Sequence, residues 1–142
     1  MKTQEFTLDN GLRSYCVNGT EDVFRINPTD TGFIARLSDT FDALRELWEQ
    51  RGGRIDSSDD FKSIISGMKE MDKKTREIID GLLGEGVSAK VFGTVSTYAL
   101  SEGFPLWANF LLALMEDCSV TYQREKKLSA PRISKYTKKY HK

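Results

Sequence analysis

The chain has 142 residues, of which 39% are apolar and 11% aromatic, and its 21 basic residues balance 21 acidic ones. These values are typical of one globular domain that buries a core without a metal ion or a disulfide. Two distant cysteines and a single histidine, His141, exclude the common zinc sites and a Ser-His-Asp triad. No apolar run approaches the roughly 20 residues of a membrane-spanning helix.

The first 27 residues alternate polar and apolar side chains, as β-strands do. Asp9-Asn10-Gly11 and Asn18-Gly19 are tight-turn signals, because Asn and Gly accept positive φ angles. We therefore predict a three-stranded antiparallel β-meander, with strands at residues 3–8, 12–17 and 23–26. A sheet this small is marginal on its own, so its apolar face needs a helix to cover it.

A first amphipathic helix is predicted after Pro28, which ends the sheet. Thr29 or Asp30 is suited to cap it by accepting a free N–H group of the first turn. Gly52-Gly53 stops the helix. Its apolar residues recur at three- and four-residue spacing, namely Phe33, Leu37, Phe41, Leu44 and Leu47 or Trp48.

A second amphipathic helix follows, with Ser57 or Ser58 as its predicted cap. Its apolar stripe begins at Phe61 and ends at Leu82-Leu83, before Gly84. The polar residues after Met71 leave open whether this helix is continuous or broken near that point. The acidic residues before it, Asp56, Asp59 and Asp60, match the dipole of a helix N-terminus better than a cation site, because no further ligand is suitably spaced.

The remainder of the body is predicted to be helical as well. Ser88 is expected to cap one or two turns, and residues 94–100 are expected to form a further short helix. Pro105 is placed in the first turn of the last helix, where proline is tolerated. The apolar face of that helix comprises Trp107, Phe110, Leu111, Leu114, Met115 and Cys118. The segment from Gly84 to Lys90 lacks the spacing of a phosphate-binding loop.

The neutral net charge conceals a division between the body and the C-terminal end. Residues 1–118 carry 13 basic and 20 acidic residues, a net charge of −7, whereas residues 119–142 carry eight basic residues and Glu125, a net charge of +7. Ser129-Ala130-Pro131 is a helix-breaking signal, and no apolar period follows it. We therefore predict a basic, flexible tail at residues 129–142 that meets a negatively charged partner or another copy of the chain.

The predicted fold class is α+β, with a small N-terminal meander, a predominantly helical body and a basic C-terminal tail. The domain is expected to span residues 1–128, with strands at about 3–27 and helices at about 30–128. The start of the chain alternates instead of showing a basic and then apolar signal peptide, so we expect a cytoplasmic protein with Cys16 and Cys118 as free thiols.

Candidate partner-binding residues fall in two places. Aromatic residues near a helix start can project into a partner, which makes residues 104–107 the expected exposed anchor. In the tail, cations are interleaved with tyrosines, so phosphates could be contacted and bases stacked. The candidates are Phe104, Trp107, Phe110, Arg132, Lys135, Tyr136, Lys138, Lys139 and Tyr140. No residues are predicted to be catalytic, to bind a cofactor or to hold a metal ion.

Several stretches resemble one family of phage proteins. They are Phe24-Arg25-Ile26-Asn27-Pro28-Thr29-Asp30, Phe41-Asp42-Ala43-Leu44, the segment 86–93, Phe110-Leu111-Leu112-Ala113-Leu114 and the Tyr/Lys-rich end. Together they resemble the tail assembly chaperones of prophages and siphophages of Gram-positive bacteria. The likeness spans most of the chain and rests on pattern and short motifs, without an active-site signature.

The resemblance implies a non-enzymatic protein in the host cytoplasm. Such a protein would coat the long helical tape measure protein and help to recruit tail tube subunits, with self-association into a homo-oligomer. From the residues alone, the competing interpretation is a small nucleic-acid-binding accessory protein that uses the basic tail. The net negative body argues against this alternative, because it would repel phosphate groups.

Overall fold

The computed structural model describes residues 2–52 and 60–140 of the chain. Its α+β architecture confirms the predicted fold class. The elements in chain order are β1 (Arg13–Val17), β2 (Thr20–Ile26), α1 (Thr31–Gly52), α2 (Phe61–Leu83), α3 (Val87–Phe92), β3 (Leu100–Ser101), β4 (Phe104–Pro105) and α4 (Leu106–Tyr140).

The N-terminal sheet is a two-stranded hairpin. Its β1 and β2 are antiparallel, and the pair Val17–Thr20 closes a two-residue turn. Both turn residues, Asn18 and Gly19, have positive φ angles, as the favoured hairpin turn requires. The strand predicted at residues 3–8, which would have made the sheet three-stranded, is wrong, because that segment forms no strand.

Local hydrogen bonds explain why the turn signal at Asp9-Asn10-Gly11 does not produce a hairpin. The backbone N–H of Gly11 donates to Asp9 Oδ1 at 2.9 Å, and Asn27 Nδ2 donates to the carbonyl of Asn10 at 2.9 Å. Asn27 follows β2 directly. The chain before β1 therefore stays beside the end of β2, and residues 2–8 do not pair with β1.

The N-terminal cap of α1 is one of the two residues predicted for it, whereas the cap of α2 is a residue that was not predicted as a cap. Asp30 Oδ1 accepts the N–H of Gly32 at 2.9 Å and caps α1. Asp60 Oδ1 accepts the N–H of Ser63 at 2.8 Å and caps α2, and this bond lowers the pKa of Asp60. Ser57, Ser58, Asp56 and Asp59 lie outside the described residues. Helix α2 is continuous through Met71.

The core lies where α1, α2, α3 and the first half of α4 meet one face of the hairpin. Leu37 and Leu44 of α1, Met71 and Ile79 of α2 and Leu111 of α4 are at most 1% exposed. The predicted apolar stripes of α1 and α2 therefore face the core over most of their length. The predicted start of the α2 stripe is wrong, because Phe61 is 77% exposed, and Trp48 near the end of α1 is 37% exposed. Burial of such side chains supplies about 1.5–3 kcal/mol each and is the main source of stability.

The segment between α3 and α4 differs from the prediction. Residues 94–100 form turns that lead into the short β3–β4 pair, and not a helix. Asp72 Oδ1 accepts both the N–H and the hydroxyl of Thr97 at 2.7 Å. Arg76 donates to the carbonyls of Gly93 and Val95 at 2.9 and 2.7 Å. These side chains of α2 take up backbone groups that a helix would need for itself.

Two smaller predictions about helix starts are also wrong. Ser88 lies inside α3, where its N–H donates to Asp80 Oδ1 at 2.8 Å, and Gly86 occupies the position before the helix. Pro105 belongs to β4, and α4 starts one residue later. A carboxylate from α2 thus replaces the local serine cap that the sequence pattern indicated.

Helix α4 is much longer than expected. It continues past residue 128, where the predicted body ended, and through Pro131 to Tyr140. A proline inside a helix removes one backbone hydrogen bond and crowds the preceding turn, at about 3 kcal/mol. Here the surrounding turns are exposed, so water can take up the carbonyl that Pro131 leaves without a donor.

Candidate partner-binding surface

The predicted aromatic anchor is divided between the surface and the core. Phe104 on β4 is 53% exposed, as expected. Trp107 is only 3% exposed, so its predicted exposure is wrong. Its ring lies 5.5 Å from that of Phe41, between α1 and α4. Its indole Nε1 is buried without a hydrogen-bond partner among the described residues.

Phe110 is likewise a core residue more than a surface anchor. It is half-buried, and its ring makes edge-to-face contacts with Phe24 of β2 and Phe92 of α3, at centroid distances of 6.1 and 5.7 Å. Such aromatic pairs stabilise a core by about 0.5–1.5 kcal/mol beyond burial. Of Phe104, Trp107 and Phe110, Phe104 alone is largely open to a partner.

The tail candidates lie together on an exposed helix. Every residue from 122 to 139 is exposed, and we call this segment the distal half of α4. Its 18 residues span about 27 Å at 1.5 Å per residue. The segment has seven basic residues and one acidic residue, and it also exposes Leu128, Ile133 and Tyr136.

Four of the tail candidates share one face of this helix. Arg132, Lys135, Tyr136 and Lys139 line a cavity of about 290 Å³. Lys138 is exposed and is offset from this face by the 100° turn per residue. Tyr140 is the last residue of α4, and its side chain lies outside what the structure describes. The face combines cationic groups with an aromatic ring that is 56% exposed.

The hairpin positions α4 through two polar contacts. The hydroxyl of Tyr15 donates to Asp117 Oδ2 at 2.6 Å, and Arg13 donates to Glu125 Oε1 at 3.2 Å. Burial and the neighbouring carboxylate of Asp117 raise the pKa of Tyr15, so the phenol remains protonated. Glu125, which pairs with Arg13, is the one acidic residue of the distal half. The seven basic residues therefore keep the net charge of the distal half strongly positive.

An apolar groove adjoins the distal half of α4. It lies between the start of α1 and the middle of α4 and has a volume of about 420 Å³. Ile34 of α1 and Met115 and Tyr122 of α4 contribute to its lining, with the buried Cys118 at its floor. Burial raises the pKa of the Cys118 thiol. Tyr122 belongs to both the groove and the distal half, so the two surfaces are continuous.

The sequence analysis did not identify this groove. Ile34 and Tyr122 were outside the predicted apolar stripes, and Met115 was assigned to the core. The available signal was that the apolar pattern of α4 fades at Tyr122 while the helix continues. A helix that leaves the body creates a groove at the point of departure.

Comparisons of the chain with known protein families, curated proteins and solved structures found no match. Within residues 2–52 and 60–140, no three metal-ligating side chains come together. Over the same residues, no helix is long and apolar enough to cross a membrane. The site is therefore described by its own geometry, a cationic exposed helix beside an apolar groove.

Proposed function

We propose that this chain is a non-enzymatic phage tail assembly chaperone-like protein that binds the tape measure protein and aids tail tube assembly. The observation that carries the proposal is the distal half of α4, an exposed cationic helix continuous with the apolar groove. The sequence resemblance supplies the identity of the client. We further propose that the protein acts in the cytoplasm of a bacterial host.

The groove suits an amphipathic client helix. Ile34, Met115 and Tyr122 present apolar surface between two helices, as in complexes where a helix lies in a groove. The lysines and arginines of the distal half would then pair with acidic side chains along the polar face of the client and raise its association rate. A long helical client would offer many such segments.

Self-association forms part of the proposal. Residues 119–142 carry a net charge of +7 and residues 1–118 a net charge of −7, so the distal half of one copy can dock on the acidic body of the next. Such a head-to-tail contact joins different surfaces and propagates into a ring or filament. A homo-oligomer of this kind would coat an extended client.

Co-expression with a candidate tape measure protein tests the proposal. We expect that protein to be soluble and to be captured only when the chain is present. Tyr122→Glu places a charge in the groove and should abolish capture. Val120→Glu is the matched control, because Val120 is 51% exposed on the same helix and does not line the groove. Equal capture by both variants would contradict binding in the groove.

Nucleic-acid binding is the second candidate function. It is favoured by the face on which Arg132, Lys135 and Lys139 surround Tyr136, since cations contact phosphates and a tyrosine ring stacks on bases. Binding of single-stranded DNA through all seven basic residues of the distal half should weaken by about 10³-fold between 50 and 200 mM salt. A titration of labelled single-stranded DNA that shows no binding at 50 mM salt would eliminate this candidate.

A further inference from the structure

The segment before the hairpin is exposed and has the pattern of a strand. Residues 2–10 are all exposed, with Phe6 at 90% and Leu8 at 83%. These two apolar residues alternate with Glu5 and Thr7, so in an extended conformation they would share one side. We call residues 2–8 the N-terminal arm.

The arm has a fixed base. Asn27 Nδ2 holds the carbonyl of Asn10, and a Cβ added at Gly11 would lie 2.5 Å from the same Nδ2 atom. Gly11 has a φ of +73°, which favours glycine. The structure therefore fixes the point from which the arm departs, while the arm itself makes no strand pairing with its own hairpin.

The hairpin offers an edge that matches the arm. Within the part of the chain that the structure describes, β1 pairs with β2 alone. The opposite strand, β2, lies against α2 and α3. An unpaired edge of this kind is a template for another strand, and a two-stranded sheet gains stability from a third. The seven residues of the arm span roughly 23 Å when extended, enough to cover the five residues of β1.

We propose that the N-terminal arm of one copy pairs as a third strand with β1 of a second copy. We assign the partner strand to a second copy because the arm and β1 follow each other in the sequence with a turn signal between them, which is the pattern of two strands that pair. The sequence pattern thus encodes this pairing, while within one copy the arm forms no strand pairing with its own β1. Exchange of an identical element between copies satisfies both conditions.

The pairing would bury Phe6 and Leu8 beside the apolar face of the sheet, where Tyr15 and Phe24 stack at 4.9 Å. Glu5 and Thr7 would then share the solvent-facing side with Cys16, which is exposed on β1. This arrangement of sides makes the proposal testable, since it predicts which arm positions come close to Cys16.

Cysteine crosslinking tests the arrangement directly. Thr3→Cys, Glu5→Cys and Thr7→Cys are prepared separately in the full chain, and each is oxidised in 1 M NaCl. That salt concentration shortens the screening length to about 3 Å and so removes contacts between the basic distal half and an acidic body. We expect a disulfide with Cys16 between two molecules from at least one position, and its loss in the Cys16→Ser background.

Matched substitutions test the energetics. Phe6→Asp should weaken dimerisation about 10- to 100-fold by sedimentation, as expected for loss of a buried Phe side chain. Thr7→Asp on the opposite side should change it less than about twofold. Circular dichroism should be the same for both variants, because the arm lies outside the core.

Three results would overturn the proposal: a monomer at all concentrations, disulfides formed only within one molecule, or equal weakening by Phe6→Asp and Thr7→Asp. These measurements use the chain alone, without any client. A monomeric chain that still solubilises a tape measure protein would therefore reject strand exchange and leave the proposed function standing.

Discussion

At the scale of single residues, Asp72 links two parts of the chain that are far apart in sequence. One of its carboxylate oxygens accepts the N–H and hydroxyl of Thr97, and the other accepts Arg76 Nε at 3.1 Å. Arg76 in turn binds the carbonyls of residues 93 and 95. Nearby, Thr75 and Tyr98 share a buried hydrogen bond of 2.7 Å. This polar cluster gives residues 93–98 their conformation.

The cluster leads to a prediction about pH. Burial alone would raise the pKa of Asp72, but the hydrogen bonds from Thr97 and the charge of Arg76 outweigh it and lower the pKa below its usual value. The stabilisation is therefore complete above the unfolded-state pKa of about 3.9 and is lost as the pH falls towards the folded-state pKa. Urea unfolding should show a steeper loss of stability from pH 5 to pH 2 in the parent chain than in Asp72→Asn.

The control for that measurement is Asp42→Asn. Asp42 pairs with Arg45 at 3.5 Å on the exposed surface of α1, where ion pairs stabilise little. This variant should keep the pH dependence of the parent chain. At pH 7, Asp72→Asn should lower the free energy of unfolding by about 1.5–3 kcal/mol, the range for hydrogen bonds to a charged group.

Two aromatic residues that are close in the sequence, Phe104 and Trp107, differ strongly in burial. Trp107→Ala removes a side chain that is 3% exposed and should lower the free energy of unfolding by about 3–5 kcal/mol. Phe104→Ala removes one that is 53% exposed and should change it by less than about 0.5 kcal/mol. Urea titrations of both variants provide the comparison. Equal losses would contradict the burial described for Trp107.

At the scale of elements, the sequence predicts the parts whose own pattern determines burial. Helices α1 and α2 follow from apolar spacing, since Leu37, Leu44 and Ile79 face the core as the pattern requires. The segment 94–100 could not be predicted in this way, because its backbone is held by side chains about 20 residues earlier. The burial of Trp107 could not be predicted for a similar reason, since only packing shows that Trp107 points inward and Phe104 outward.

Helix α4 shows how a local breaker can be overridden, and it yields a further prediction. Pro131→Ala restores a backbone hydrogen bond in the distal half and removes a steric conflict of about 3 kcal/mol. Amide hydrogen exchange in residues 128–139 should slow by up to about 100-fold, while exchange in α2 stays unchanged. Unaltered exchange in the distal half would show that the proline does not limit helix stability there.

At the scale of the whole molecule, charge is separated along the chain while the net charge is zero. The distal half of α4 carries seven basic residues and one acidic residue, all of them exposed, whereas 20 of the 21 acidic residues belong to the rest of the chain. The sequence alone predicts this separation, because it follows from the positions of the charged residues along the chain. It does not predict that the positive end is an ordered helix, since that depends on how α4 continues past Pro131.

The charge separation predicts association that is sensitive to salt. Deletion of residues 129–142 removes five of the eight basic residues of the segment 119–142 and should abolish head-to-tail oligomers measured by light scattering at low salt. The full chain should lose the same oligomers as salt rises from 0.1 to 1 M, because the screening length falls from about 10 to 3 Å. Paired N-terminal arms would survive both changes, since their contact is apolar and uses backbone hydrogen bonds. Oligomers of unchanged size after the deletion would rule out tail-to-body docking, and a dimer that persists in 1 M salt would assign the remaining contact to the arm.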